Sequence, residues 1–222
     1  MKKLLLVISA LTTILYTNVS LAESSLKDNN LPYYNGPEFT PNWLKPDSKE
    51  LTDFHKISDF KFMNQLGEFV TQEDMKGKIY VASFFFTSCP GICPKMRSQL
   101  AKVQTEFRDN NDVYIISHSI QPENDTVEVL QDYAVENDIQ AGKWHLVTGK
   151  REDIYTIARE DYFANEDLGE YVSNNDFLHT ENIVLVDHNR HIRGIYNGLN
   201  KTSINHLITD INTLQKESSQ SK

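Results

Sequence analysis

One stretch limits the possible folds of this chain more than any other. The apolar run Ile79–Phe86 leads directly into Thr87-Ser88-Cys89-Pro90-Gly91-Ile92-Cys93-Pro94. Beyond it, Met96, Leu100, Val103 and Phe107 recur at the spacing of one helical face. A run of strand length that is apolar on both sides suits a central strand covered by layers above and below. The cysteine pair therefore sits where a buried strand ends and a helix begins.

The rest of the chain supplies the other layers. Gln65-Leu66-Gly67-Glu68 is a turn signal between two short β segments within Asp59–Val70. Val113–Ile116 reads as a second buried strand. Asp125, with Glu128 three residues on, reads as a capping box that opens a helix reaching about Asn137. Trp144–Val147 follows as a short strand and Glu152–Tyr162 as a helix. Ile183–Val186 and His191–Tyr196 form a hairpin around Asp187-His188-Asn189-Arg190, and Ile204, Leu207, Ile208, Ile211 and Leu214 mark a last amphipathic helix. Strands alternating with helices, then a hairpin and a closing helix, predict an α/β fold. The order fits a thioredoxin-like sandwich, with an extra N-terminal β-hairpin and an acidic, Asn-rich insertion (residues 164–177) before the third main strand.

The start of the chain bears on compartment. Met1-Lys2-Lys3 is basic, Leu4–Leu15 almost wholly apolar, and Ser20-Leu21-Ala22 offers small residues to a signal peptidase. Residues 1–22 are expected to be a signal peptide, with an uncleaved membrane anchor as the alternative. Residues 23–52 read as an extended arm, partly docked through the rings of Tyr33, Tyr34, Phe39 and Trp43, residues 53–216 as the folded domain, and 217–222 as a polar tail. An exported protein, periplasmic or otherwise extracytoplasmic and possessing membrane proximity in the anchored case, is expected. The net charge of −9 provides no cationic footprint, which argues against nucleic acid as a partner.

The chain has two cysteines. A disulfide between residues this close removes little chain entropy, so stability explains the pair poorly. Reactivity or metal binding explains it better. At a helix start, unpaired N–H groups and the helix dipole favour the thiolate, the form that binds metals and attacks disulfides. Thioredoxin-type redox sites place two residues between their cysteines; here there are three. Soft thiolates select Cu(I), with zinc as competitor, and two sulfurs leave room for a third ligand. In a thioredoxin plan the segment before the third main strand approaches the cysteine loop, and here that segment is Asp176-Phe177-Leu178-His179-Thr180-Glu181. On residues alone, His179 stands evenly between a ligand and a hydrogen-bonded histidine at a strand edge.

The run Phe86-Thr87-Ser88-Cys89-Pro90-Gly91-Ile92-Cys93-Pro94 resembles the signature of the Sco/SenC copper-chaperone family. Ser119-Ile120-Gln121-Pro122-Glu123-Asn124-Asp125-Thr126, Trp144–Gly149 and the pair His179-Thr180 are similar to further family motifs, in family order over roughly residues 53–215. The resemblance implies that Cys89, Cys93 and His179 are ligands of a copper ion, Cu(I) or Cu(II). It implies a metallochaperone that assists assembly of the copper A centre of cytochrome c oxidase, whose copper A subunit, or another copper-accepting protein, would be the partner. The resemblance also implies an alternative, thiol–disulfide exchange of the kind credited to some members, in which Cys89 and Cys93 would be catalytic residues acting on a thiol-redox partner. The chain departs from the family at Gln121 and Leu178, where aspartate is common.

Other residues carry weaker signals. His118 ends a strand near the cysteine loop and is a candidate to support the site. His188 and His191 flank a hairpin turn, His55, His145 and His206 look incidental, and Glu181 is placed to orient His179. Met63, Met75 and Met96 form no thioether cluster, and Met96 belongs to a helix core face.

Overall fold

A computed structural model of the chain describes residues 30–164 and 180–220. The strands are β1 (Lys61–Asn64), β2 (Phe69–Thr71), β3 (Ile79–Phe85), β4 (Val113–Ser119), β5 (Trp144–Thr148), β6 (Asn182–Val186) and β7 (Ile192–Asn197). The helices are α1 (Cys93–Glu106), α2 (Val127–Glu136), α3 (Arg151–Thr156) and α4 (Lys201–Gln220). All seven strands form one sheet, ordered β2-β1-β5-β4-β3-β6-β7. β3, β4 and β5 run parallel, and the remaining pairings are antiparallel. This is the expected sandwich with its early hairpin, in which Gly67 takes the turn at a φ of 74° that few other residues tolerate.

β3 is buried along its whole length and alternates between two cores. Ile79, Val81 and Phe85 face a cluster with Met96, Leu100 and Val103 of α1 and with Ile204, Leu207, Ile211 and Leu214 of α4. Tyr80, Ala82 and Phe84 face a second cluster with Ile57, Phe62, Ile154 and Tyr162. Cys89 and Cys93 belong to the first. Burying each large apolar side chain contributes about 1.5–3 kcal/mol, so the helical face read from the sequence is what fastens α1 beneath the cysteine loop.

Several local expectations change. The α2 cap is Thr126, whose Oγ1 accepts from Val129 N–H, and not Asp125. Glu152–Tyr162 divides into α3 and a wider π-helical turn, Ile157–Asp161. α4 continues to Gln220, so the start of the segment read as a polar tail is helical, with Glu217 buried. The arm is docked: Tyr33 exchanges backbone hydrogen bonds with Asn42, and Tyr34 N–H donates to Ile192 O on the outer edge of β7. That cover protects an edge strand. Of the insertion only Ala164 is described; the other residues assigned to it lie outside the described residues.

The arm is held by Arg193 on β7. Its side chain is 1% exposed and pairs with Asp187 at 3.1 Å and Glu217 at 3.0 Å. It also donates to the carbonyls of Leu31 and Pro32 and lies 3.9 Å from the centre of the Tyr33 ring. Leu31 N–H returns a hydrogen bond to Glu217.

His118 points away from the cysteines, into the second cluster between Phe84, Phe62 and Tyr162. Strand alternation explains this, since His118 pairs in register with Phe84 and shares its face. Burial lowers its pKa to about 4, against the Ser83 carbonyl, which acts to raise it. The unfolded ring takes a proton near pH 6.5 while the folded ring resists until about pH 4. The stability tied to this histidine is therefore whole above pH 6.5 and lost as pH falls toward 4, by about 3 kcal/mol at most. Burial moves His145 and His191 in the same direction. Denaturant titrations at pH 7 and pH 4.5 should show that loss, and His118→Leu should reduce the pH slope; an unchanged slope would contradict the assignment.

Candidate metal and thiol site

β3 ends at Phe85, paired in register with Ser119 at the end of β4. The chain then turns, with Cys89 N–H donating to Phe86 O at 3.3 Å, and α1 begins at Cys93 with Pro94 in its first turn. A proline costs no hydrogen bond there. Cys89 thus lies in the turn before the helix, and it is this turn that brings it back toward Cys93. Pro90 favours this, because the residue preceding a proline is disfavoured in helical conformation.

Both cysteines are free, and both are buried, at 7% and 6% exposure. Ile92, the residue capping α1, provides no side-chain cap. Burial acts to raise the pKa of Cys89, but a hydrogen bond with the Cys93 thiol and the backbone N–H groups of Cys93, Gly91 and Ile92 outweigh burial and leave it lowered. Cys93 goes the other way, to about 12, through burial and then its hydrogen bond with Cys89, offset in part by the Phe86 backbone. The pair is therefore asymmetric, the outer thiol giving up its proton more readily than the inner one.

A recess beside Cys93 is lined by Phe85, Met96, Leu100, Tyr133 and Trp144. Arg97 borders it, donating to Tyr133 OH at 3.0 Å. Behind it, Ser83 and Ser117 hydrogen-bond each other at 2.7 Å, and Trp144 Nε1 donates to Ser117 Oγ at 2.8 Å. These contacts satisfy the buried polar atoms under the dithiol.

Sequence reasoning missed Asp125 as part of this region. It is fully buried, and its carboxylate accepts from Thr87 N–H, Thr87 Oγ1 and Ser119 Oγ. A signal was available: Thr87 lies past the end of the strand pairing, and its half-buried N–H requires an acceptor. Gln121 hydrogen-bonds within its own loop, its Oε1 accepting from Asn124.

Of the other sequence candidates, His179 and Leu178 lie outside the described residues. Thr180 is buried, its Oγ1 accepting from Asn182 N–H, and Glu181 is exposed and accepts from Asn197 Nδ2. A Cβ on Gly198 would stand 2.9 Å from Glu181 O and 3.1 Å from Met96 Cε. Gly198 N–H donates to Glu181 O at 2.7 Å, a close approach that a side chain at 198 would crowd. His191 is buried, with Nδ1 at 2.9 Å from His55 O, and His188 lies in the hairpin turn beside Asn189. His55 Nε2 is 2.7 Å from Asp161 O, so it has a structural place. Among the described residues, no group of three or more His, Cys, Asp or Glu side chains is arranged to hold a metal ion.

Fold and site together define a thioredoxin-like domain that presents a free, asymmetric dithiol at the head of its first helix. The chain belongs to the SCO1/SenC family, whose model matches residues 48–216. It is 30% identical over 162 residues to the SCO1 protein homolog of Bacillus subtilis, covering 71% of this chain and 81% of that one. It resembles the solved structure of BsSco, described as having a disulfide switch and as a member of the Sco family of cytochrome c oxidase assembly proteins. That match has a TM-score of 0.61 and 29% identity, and covers 74% of this chain and 94% of BsSco. Arabidopsis thaliana ScoI, solved with copper bound, matches with a TM-score of 0.55 and 26% identity over 70% of this chain and 97% of that one.

Proposed function

We propose that this protein is an extracytoplasmic copper-binding protein that carries copper toward the copper A centre of cytochrome c oxidase. The observation that carries the reading is the pair of free sulfurs, buried together at a helix start in a SCO1/SenC domain. Two thiolates form a soft donor set suited to Cu(I), and adding an imidazole suits both oxidation states. His179 would be the third ligand. Its neighbour Glu181 packs through Gly198 beside α1, which supports that placement. A copper-bound relative and one described as an oxidase assembly protein support the cargo and the destination.

A three-coordinate ion is open to an incoming ligand, so the acceptor's side chains can take copper by exchange. Binding requires reduced cysteines, and a Cys89–Cys93 disulfide would turn it off. We place the protein in the periplasm or an equivalent compartment, near the membrane through its amino-terminal segment. Among the described residues no helix is long and apolar enough to cross a membrane.

The contact between the two sulfurs favours a second reading, thiol–disulfide exchange, in which Cys89 attacks and Cys93 resolves. Titrating the reduced protein with Cu(I) and Cu(II), alongside His179→Ala, separates the two. One copper per chain and loss of the Cu(II)–thiolate charge-transfer band in His179→Ala are expected from the chaperone. No copper uptake by the wild type would end that reading, and disulfide reductase activity that survives His179→Ala would favour exchange.

A further inference from the structure

We propose that Asp125 is a positioning residue for the dithiol, tying the cysteine turn to the end of the neighbouring strand. Pairing between β3 and β4 ends at Phe85 and Ser119. From there the two chains diverge, one into the cysteine turn and the other into the loop before α2. Asp125 stands between them. Oδ1 accepts from Thr87 Oγ1 at 2.5 Å, both carboxylate oxygens lie within 3.3 Å of Thr87 N, and Oδ2 accepts from Ser119 Oγ at 2.5 Å. Ser119 Oγ in turn accepts from Gln121 N–H at 3.2 Å.

The clamp grips the turn two residues before Cys89, and α1 grips it from Cys93 onward. Between these points Ser88, Pro90 and Gly91 are exposed, so the turn that carries the first sulfur is fastened at its two ends and by the burial of Cys89 itself. Hydrogen bonds to a fully buried carboxylate are of the stronger kind, and removing their acceptor strands the donors away from water. The segment from Thr87 to Cys89 would then sample more positions, and the sulfurs would meet less often. This role rests on the dithiol being the working group of the proposed function, but it does not depend on copper.

The test is the equilibrium between reduced protein and glutathione disulfide at fixed pH. In that reaction Cys89 attacks one glutathione sulfur and releases a glutathione. Cys93 then attacks the mixed disulfide and releases the second, so two electrons and the two thiol hydrogens pass to glutathione. Asp125→Ala should reduce the equilibrium constant about tenfold, the size of one charge-assisted hydrogen bond. Thr87→Val and Ser119→Ala should each reduce it by about threefold, and Thr87→Ser should restore it. Leu214→Ala, a destabilising change in α4, should leave it within about twofold. Constants for Asp125→Ala, Thr87→Val and Ser119→Ala that all equal the wild type while the proteins remain folded would overturn the proposal. If Asp125→Ala does not fold, the two single-donor variants decide. Wild-type protein that takes up no copper yet shows these shifts would sink the copper reading and leave the clamp standing.

Discussion

Cys89→Ser and Cys93→Ser are each expected to abolish tight copper binding, raising the Cu(I) dissociation constant by at least about a thousandfold, or roughly 4 kcal/mol. A hydroxyl is a hard, weak donor and cannot replace a soft thiolate. The folded state should survive both changes, because the described structure contains no disulfide and the two residues are nearly isosteric. Competition with a chromophoric Cu(I) chelator measures the effect, and circular dichroism checks the fold. The two variants should differ in reactivity. Cys93→Ser keeps the sulfur that the backbone N–H groups of residues 91–93 stabilise and should react quickly with iodoacetamide, whereas Cys89→Ser keeps the inner sulfur and should react slowly. Equal rates would contradict the asymmetry.

The second large effect is expected at Arg193. Replacing it with methionine leaves Asp187 and Glu217 buried without their shared cation and releases the Leu31 and Pro32 carbonyls. Breaking a buried ion pair from one side costs about 3–5 kcal/mol. For a domain of this size that corresponds to a melting temperature lower by about 10 °C. Hydrogen exchange should show the arm opening around Leu31–Tyr34 before the sheet. Adding Asp187→Asn and Glu217→Gln should recover part of the loss, because the groups left behind no longer carry charge. A melting temperature within a degree or two of wild type would mean that the buried cluster contributes little.

Much of the fold was legible because its elements repeat at periods that solvent enforces. β3 read as buried on both faces and is; the α1 stripe faces the core; both hairpins turn where the sequence places them. What escaped depends on partners distant in the chain. Asp125 and Thr126 are both good capping residues, and local spacing alone favoured the aspartate. The demand that decided between them came from Thr87, 38 positions away, whose orphaned N–H and hydroxyl drew the carboxylate inward. Arg193 lies on a strand of mixed character, and nothing local marks it as buried, since its carbonyl partner Leu31 is 162 positions earlier. His118 could be placed near the cysteines along the chain, but its face follows from register, which puts it with Phe84 and not Phe85.

The site was legible as a motif more than as a geometry. Two cysteines where a strand gives way to a helix marked a candidate for reactivity. The asymmetry between them depends on which sulfur meets the N–H groups of Gly91, Ile92 and Cys93, and local spacing does not reveal that. Gly198 gave no signal in the sequence, yet its missing side chain leaves room for its close hydrogen bond to Glu181 O.

X-ray absorption at the copper edge of the reduced protein loaded with one Cu(I) reads out the atoms bound to the ion. Two sulfur scatterers and one imidazole, with the imidazole signal absent in His179→Ala, is the expected result. A shell of oxygen and nitrogen alone, or one sulfur with no change on removing His179, would contradict it.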